Sequence, residues 1–233
     1  MNLFESIALF ESMDGIAVSL IILAWFGVGY AIDNPSAKHP SVSVLMATYR
    51  REWMRQHVTR DPRVFDALLV SNLRQAAAFF ASTCLVAFGG GLALIGNPDR
   101  LTSVAQDLSL AAAPNIVWDV RIFLVLFFLA NGLFKFVWAH RLFGYCAVIM
   151  GSIPNEVCDD AFSRAEKAGE INVAAARSFN RGIRAIYFAL GALAWLLGPV
   201  PLMSATILTV AVLWRREFAS HSRTVMLGGK VEK

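Results

Sequence analysis

Apolar positions come in long unbroken blocks in this chain, not at the two- or four-residue spacing of a soluble fold. Residues 15–32 carry no charge between Asp14 and Asp33. A second block, 75–96, opens after Arg74 and ends at the turn-forming Asn97-Pro98-Asp99. A third, 116–140, is rich in phenylalanine and contains Asp119, Arg121 and Lys135. A fourth runs uncharged from 185 to 214. About 18 consecutive apolar residues suffice for a helix to cross the hydrocarbon of a bilayer. The pattern therefore predicts an all-α, polytopic integral membrane protein.

The fourth block is too long for one plain span. At ~1.5 Å per residue it would reach ~45 Å, against a hydrocarbon core of ~30 Å. Its middle reads Gly198-Pro199-Val200-Pro201, and two prolines around a valine interrupt helical hydrogen bonding. Trp195 just before the break suits an interfacial anchor. One kinked span and a hairpin of two short spans both fit this pattern.

Charge decides between them. Residues 33–74 hold Lys38, Arg50, Arg51, Arg55, Arg60, Arg63 and Arg74. Residues 141–184 hold Arg141, Arg164, Lys167, Arg177, Arg181 and Arg184, and the tail holds Arg215, Arg216, Arg223, Lys230 and Lys233. The N-terminus, with Glu5, Glu11 and Asp14, is acidic, and 97–114 has one Arg against two Asp. Lys and Arg collect on the cytoplasmic side. All three basic segments share that side only if the last block crosses twice. The expectation is a single membrane domain over 1–233 with five spans, near 15–32, 75–96, 116–140, 183–198 and 200–214. The cytoplasmic segments are then 33–74, 141–182 and 215–233. The N-terminus lies outside and the C-terminus in the cytoplasm, with the bacterial inner membrane as location.

Two cytoplasmic stretches have patterns of their own. From Val42 to Arg60, apolar Val42, Leu45, Met46, Tyr49 and Trp53 recur at helical spacing until Asp61-Pro62. Arg50, Arg51 and Arg55 cluster on another side, which suits an amphipathic helix with those arginines on anionic lipid headgroups or packed within the protein. A further helix is expected to start after Pro62 and run into the second span. Residues 154–182 mix acidic and basic positions, as a solvated helix does.

Composition adds little beyond the class. The chain is 57% hydrophobic and 16% charged, with mean hydropathy +0.55, whereas soluble domains carry about 25% charge. Net charge +4 and a pI near 9.2 fit a membrane protein obeying the positive-inside rule, and no nucleic-acid-binding signature accompanies them. Cys84, Cys146 and Cys158 are widely spaced and suggest neither a disulfide framework nor a zinc site. The acidic N-terminus lacks the basic start of a secretory signal, so the first block is expected to remain as a span.

Several runs resemble one family. These are Arg51-Glu52-Trp53-Met54, Asn72-Leu73-Arg74, residues 180–190 (NRGIRAIYFAL) and, above all, Leu193-Ala194-Trp195-Leu196-Leu197-Gly198-Pro199-Val200. Together they resemble an uncharacterised membrane-protein family of bacteria and plants, domain of unknown function 599, over roughly 15–218. The resemblance implies a helical fold in a membrane and supplies no catalytic or ligand residues.

The search for chemistry is correspondingly sparse. Four histidines, His39, His57, His140 and His221, give no intramembrane pair for haem. No HExxH, ExxH pair or GxSxG occurs, so no metal, cofactor or catalytic residue is expected. Gly89-Gly90-Gly91, with Ala77, Ala78, Ala81 and Ser82, forms a small-residue face suited to close helix approach. In the third span Arg121, Phe128, Asn131 and Lys135 share one helix face, and Lys135 lies ~9 Å inside the basic flank. Ionisable residues at such depth mark functional sites or snorkel to the interface. The candidates for binding an anion or permeant are Arg74, Arg121, Asn131, Lys135 and Arg184. The expected function is a non-enzymatic accessory, scaffold or self-assembling membrane subunit. The alternative is an oligomeric channel or carrier for a small anion or solute.

Overall fold

In the computed structural model, residues 12–95 and 115–228 are described, and they are helical almost throughout. The helices are α1 (Ser12–Asp33), α2 (Val42–Thr59), α3 (Val64–Ile95), α4 (Asn115–Gly151), α5 (Asp159–Ala192), α6 (Pro199–Phe218) and the short α7 (His221–Met226). No strand occurs among the described residues. The turn expected at Asn97-Pro98-Asp99, the acidic 97–114 connection, Glu5, Glu11, Lys230 and Lys233 lie outside the described residues.

Among the described residues, three helices are long and apolar enough to cross a membrane: α1, α3 and the part of α4 from Ile116 to Gly151. The apolar block of α3 begins only after Arg74, yet the helix starts at Val64. Likewise α4 runs beyond His140 to Gly151. The reason is local: no proline or glycine turn separates the apolar block from its polar flank, so intrahelical hydrogen bonding simply continues. With 32 and 37 residues, α3 and α4 are ~48 and ~55 Å long, well beyond a ~30 Å hydrocarbon core.

The fourth apolar block is not one continuous helix. After α5, residues Leu193–Leu197 tighten into a 3-10 turn, and Gly198 adopts φ 120 and ψ 178. That backbone region is essentially closed to residues with a Cβ. Pro199 then opens α6, where its missing N–H costs nothing. The chain folds back here: a Cβ built on Gly191 would lie 3.1 Å from Thr209 Oγ1. Gly198→Ala is expected to cost about 1–3 kcal/mol of strain. Chemical unfolding in detergent checks this, and a wild-type midpoint would refute it.

The contacts divide into two compact units. One comprises the described parts of Met1–Tyr30, Thr83–Gly132 and Ile183–Trp214. Its core carries Ile21, Leu126, Phe128, Phe188 and Leu202. Trp25 sits edge-on to Phe128, and Phe128 stacks on Phe188.

The other unit comprises the described parts of Ala31–Ser82, Leu133–Gly182 and Arg215–Lys233. It is a helical bundle with buried Met54, Val70, Cys146, Met150 and Ala168 in one layer and Ala77, Ala139, Phe143 and Ala175 in the next. Phe80, Phe136 and Phe179 form a ring cluster with centroids 5.3–5.6 Å apart. Gly182 lets Phe136 lie against the α5 backbone, since a Cβ there would meet the ring at 2.8 Å.

Helix α5 owes its packing to small residues. Ala161, Ala165, Ala168, Asn172 and Ala175 are all fully buried, at the three- and four-residue spacing that makes one stripe of a helix. The alternating charges of 154–182 occupy the rest of the circumference. The stripe admits α2 closely: a Cβ on Gly169 would stand 3.5 Å from Arg51 Cα.

Capping holds α2 at its start. Ser41 Oγ accepts from Val44 N and donates to Ile32 O. Glu217, from α6, accepts from both the N–H and the hydroxyl of Ser43 at 3.0 Å. A carboxylate there meets free N–H groups and the positive end of the helix dipole. Arg223 Nε donates to Pro40 O at 2.9 Å, so the tail also joins the start of α2.

Candidate functional site

Two buried polar clusters stand out, one in each unit. The first grows from the end of α2. Trp53, His57 and Arg60 follow at intervals of four and three and so share one helix face. The turn at Asp61-Pro62 then starts α3, whose first turn carries Asp66. Asp66 is fully buried. Its Oδ1 accepts from Trp53 Nε1 at 2.6 Å and from an Arg60 guanidinium N–H, and its Oδ2 faces His57 Nδ1 at 2.7 Å. One carboxylate thus gathers three groups, and the Arg60 pairing makes up for removing its charge from water.

His57 is itself only 3% exposed, and its other ring nitrogen, Nε2, is buried without a hydrogen-bond partner among the described residues. His57 lines a cavity of about 380 Å³. Arg63, Arg74, Ser71 and Asn155 supply the cavity's other polar groups. Arg63 gives its N–H groups to neutral carbonyls, Val58 O, Ile153 O and Pro154 O, at 2.9–3.1 Å. Arg74 Nε reaches His140 Nε2 at 3.3 Å. Two guanidiniums therefore border the cavity, and no carboxylate is among its described lining residues.

The second cluster lies in the unit that holds the apolar spans. Asp14, in the first turn of α1, is 6% exposed. It accepts from Trp195 Nε1 at 2.6 Å and lies 3.8 Å from Arg121 Nη2. The Arg121 guanidinium sits 5.6 Å from the Trp118 ring and 5.9 Å from the Trp195 ring, within cation–π range. Its Nε is buried without a hydrogen-bond partner among the described residues.

The residues singled out in the sequence are distributed between the two units. Arg121 joins the Asp14 cluster, Asn131 is half-buried on α4, and Arg184 is buried. All three belong to the unit with the apolar spans, while Arg74 and Lys135 belong to the bundle. Arg74 borders the His57 cavity. Lys135 is half-buried, and its backbone carbonyl accepts from Ser178 Oγ at 2.8 Å. Of the α2 arginines, Arg50 turns to Asn172 Oδ1 and Arg51 to Glu170, while Arg55 is exposed. Burial pushes the Arg50 guanidinium below its ordinary range. The hydrogen bond between Arg51 and Glu170 raises the one and lowers the other.

Asp66, His57 and Asp14 are the groups that sequence reasoning missed. His57 is unremarkable when histidines are judged only as metal or haem ligands. Its shared face with Trp53 and Arg60, followed by an acid one turn into the next helix, is the signal that marks it. Asp14 reads as the boundary of an apolar block, whereas it belongs to the helix and is buried. Among the described residues no group of three potential ligands is placed to hold a metal ion.

These features define an all-helical protein with apolar helices of membrane-crossing length, joined in sequence to a compact polar bundle. The chain belongs to the family described as "Protein of unknown function, DUF599", whose model matches residues 16–222. None of the curated proteins and none of the solved structures compared with it matches.

Proposed function

We propose that this is a five-span protein of the bacterial inner membrane, N-terminus outside and C-terminus in the cytoplasm, that acts by assembling with copies of itself and not by catalysis. The threading is supported by the basic segments. Arg50, Arg63, Arg74, Arg141, Arg177 and Arg215 belong to one compact unit, and Arg184, at the edge of the last apolar block, to the other; the grouping fits three basic segments on one face. The fold-back at Gly198 supports reading the last apolar block as two short crossings, which would return the tail to that face. Anionic headgroups of the surrounding lipid then meet the exposed arginines.

The observation that carries assembly is the state of α3. Only 6% of its most apolar window is buried within the chain, against 44% for α4. Among the described residues, nothing lies within 4 Å of where a Cβ on Gly89 or Gly90 would stand. Apolar surface alone would be satisfied by lipid. Adjacent small residues instead let a second helix backbone approach, which is how helices associate where no hydrophobic driving force exists.

Gly90→Leu tests this, because a Cβ added there meets no described residue of the same chain. Forcing extra methylenes into a packed contact costs ~1–3 kcal/mol, so self-association in detergent should weaken about tenfold or more with helicity unchanged. Light scattering after size separation reads the mass directly. A wild-type particle that stays monomeric in lipid nanodiscs at every concentration would sink the proposal.

A further inference from the structure

Helix α3 begins well before its apolar block, and the face it shows there has a pattern. Phe65, Leu68, Asn72 and Gln75 follow at intervals of three, four and three, and positions 79, 82, 86 and 89 continue the alternation along the same helix. Such intervals repeat every seven residues, the period at which two helices coil around each other. Phe65, Leu68, Asn72 and Gln75 are all exposed, the first two at 58% despite their size. Asp66, Val70 and Ala77, which the bundle buries, lie about half a turn away on α3. The seam therefore points away from the rest of the bundle.

Lipid does not account for this face. On the threading proposed above, hydrocarbon begins near Gln75, and the headgroup layer adds ~5–8 Å. At ~1.5 Å per residue, Leu68 stands ~10 Å before Gln75 and Phe65 ~15 Å. Both lie beyond acyl chains. Asn72 and Gln75 indicate what covers them instead. Neither side chain has a hydrogen bond among the described residues, and an amide, which both donates and accepts, can pair with an identical amide. Copies of one chain thread a membrane in the same direction, so neighbouring α3 helices run parallel. About a two-fold axis each seam residue then meets its own counterpart.

We propose that α3 pairs in parallel with α3 of a second copy along Phe65, Leu68, Asn72 and Gln75. This contact rests on the assembly proposed above and extends it from the span into the bundle, to which these residues belong. Phe65 and Leu68 exclude water from it. Asn72 and Gln75 fix the register: a slip of one turn sets Leu68 against Asn72 and Gln75 against Phe79.

Cysteine cross-linking of the full chain in membrane vesicles tests the face. Cys158, an exposed native thiol, is first replaced by serine, while Cys84 and Cys146 are buried. Leu68→Cys and Asn72→Cys are then oxidised alongside Ala67→Cys, an exposed position on another side of α3. The expected result is a disulfide-linked homodimer at 68 and 72 and little at 67. In a second arm, Leu68→Glu should weaken self-association in detergent about tenfold or more, because like charges would face each other. Circular dichroism should stay unchanged, since Leu68 is exposed in the single chain. Equal cross-linking at all three positions, cross-links from 68 only to another protein, or self-association unchanged by Leu68→Glu overturns the proposal. If Gly90→Leu disperses the particle and Leu68→Glu does not, the copies meet within the membrane alone, and the assembly stands without this contact. A wild-type chain that is monomeric at every concentration removes both.

Discussion

Replacing Asp66 by alanine should be among the most damaging single changes in the bundle, lowering stability by about 3–5 kcal/mol. The carboxylate is fully buried and serves Trp53, His57 and Arg60 at once. Deleting it leaves the buried His57 Nδ1 and the half-buried Trp53 Nε1 without their partner, at up to ~1–3 kcal/mol each. It also leaves the Arg60 guanidinium, about one-third exposed, without its counterion. The exposure of Arg60 is why the loss stays below the sum of three full penalties: water can take over part of that interaction. Asp66→Asn should cost roughly half as much. Its carbonyl still accepts from Trp53 and Arg60, and its amide can donate to His57 Nδ1 once the ring proton moves to Nε2. The ranking of alanine below asparagine below wild type is measured by denaturant unfolding of the full chain in detergent, followed by circular dichroism. An Asp66→Ala midpoint within experimental error of wild type would show that Asp66 does not hold the end of α2 against α3.

The helices of this protein are legible in its sequence because their causes are local. Long apolar runs set α1, α3 and α4, and Asp61-Pro62 stops α2 where expected. Gly198-Pro199-Val200-Pro201 breaks the last block, and the structure adds that Gly198 takes a conformation favoured for glycine. The extents of α3 and α4 were harder to read, since an apolar block marks where a helix is greasy and not where its hydrogen bonding ends. The polar clusters were largely hidden for a different reason. Asp66 and His57 are close in sequence, but their significance lies in burial, and burial is decided by how α5 and the end of α4 pack over them. Asp14, Arg121 and Trp195 are far apart in sequence, and only folding makes them neighbours. The alanine stripe of α5 falls between these cases. Its three- and four-residue spacing stands in residues 161–175, but charges interleave with it, so the same stretch also fits a solvated helix.

Neutralising either member of the Asp14–Arg121 pair should destabilise the protein more than neutralising both. In Asp14→Asn the side-chain carbonyl still accepts from Trp195, so the indole hydrogen bond at 2.6 Å survives and the missing charge is isolated as the variable. Arg121, with a side chain only 13% exposed, is then an uncompensated cation in apolar surroundings. Arg121→Met creates the converse problem at Asp14. Breaking a buried pair from one side costs ~3–5 kcal/mol, whereas replacing both partners by groups of similar shape is often neutral or stabilising. The geometry puts this pair towards the replaceable end. Its closest described approach is 3.8 Å, longer than the 2.7–2.9 Å of a charge-assisted hydrogen bond, and Arg121 Nε has no hydrogen-bond partner among the described residues. The two rings beside the guanidinium compensate in part, at about 0.5–2 kcal/mol each, and methionine retains contact with both through its thioether. The double variant Asp14→Asn with Arg121→Met is therefore expected within ~1–2 kcal/mol of wild type, a coupling of at least 2 kcal/mol on the double-mutant cycle. Unfolding midpoints of the four proteins in one detergent give the coupling directly. Strictly additive losses would mean that water reaches both charges and that the two are neighbours without being partners.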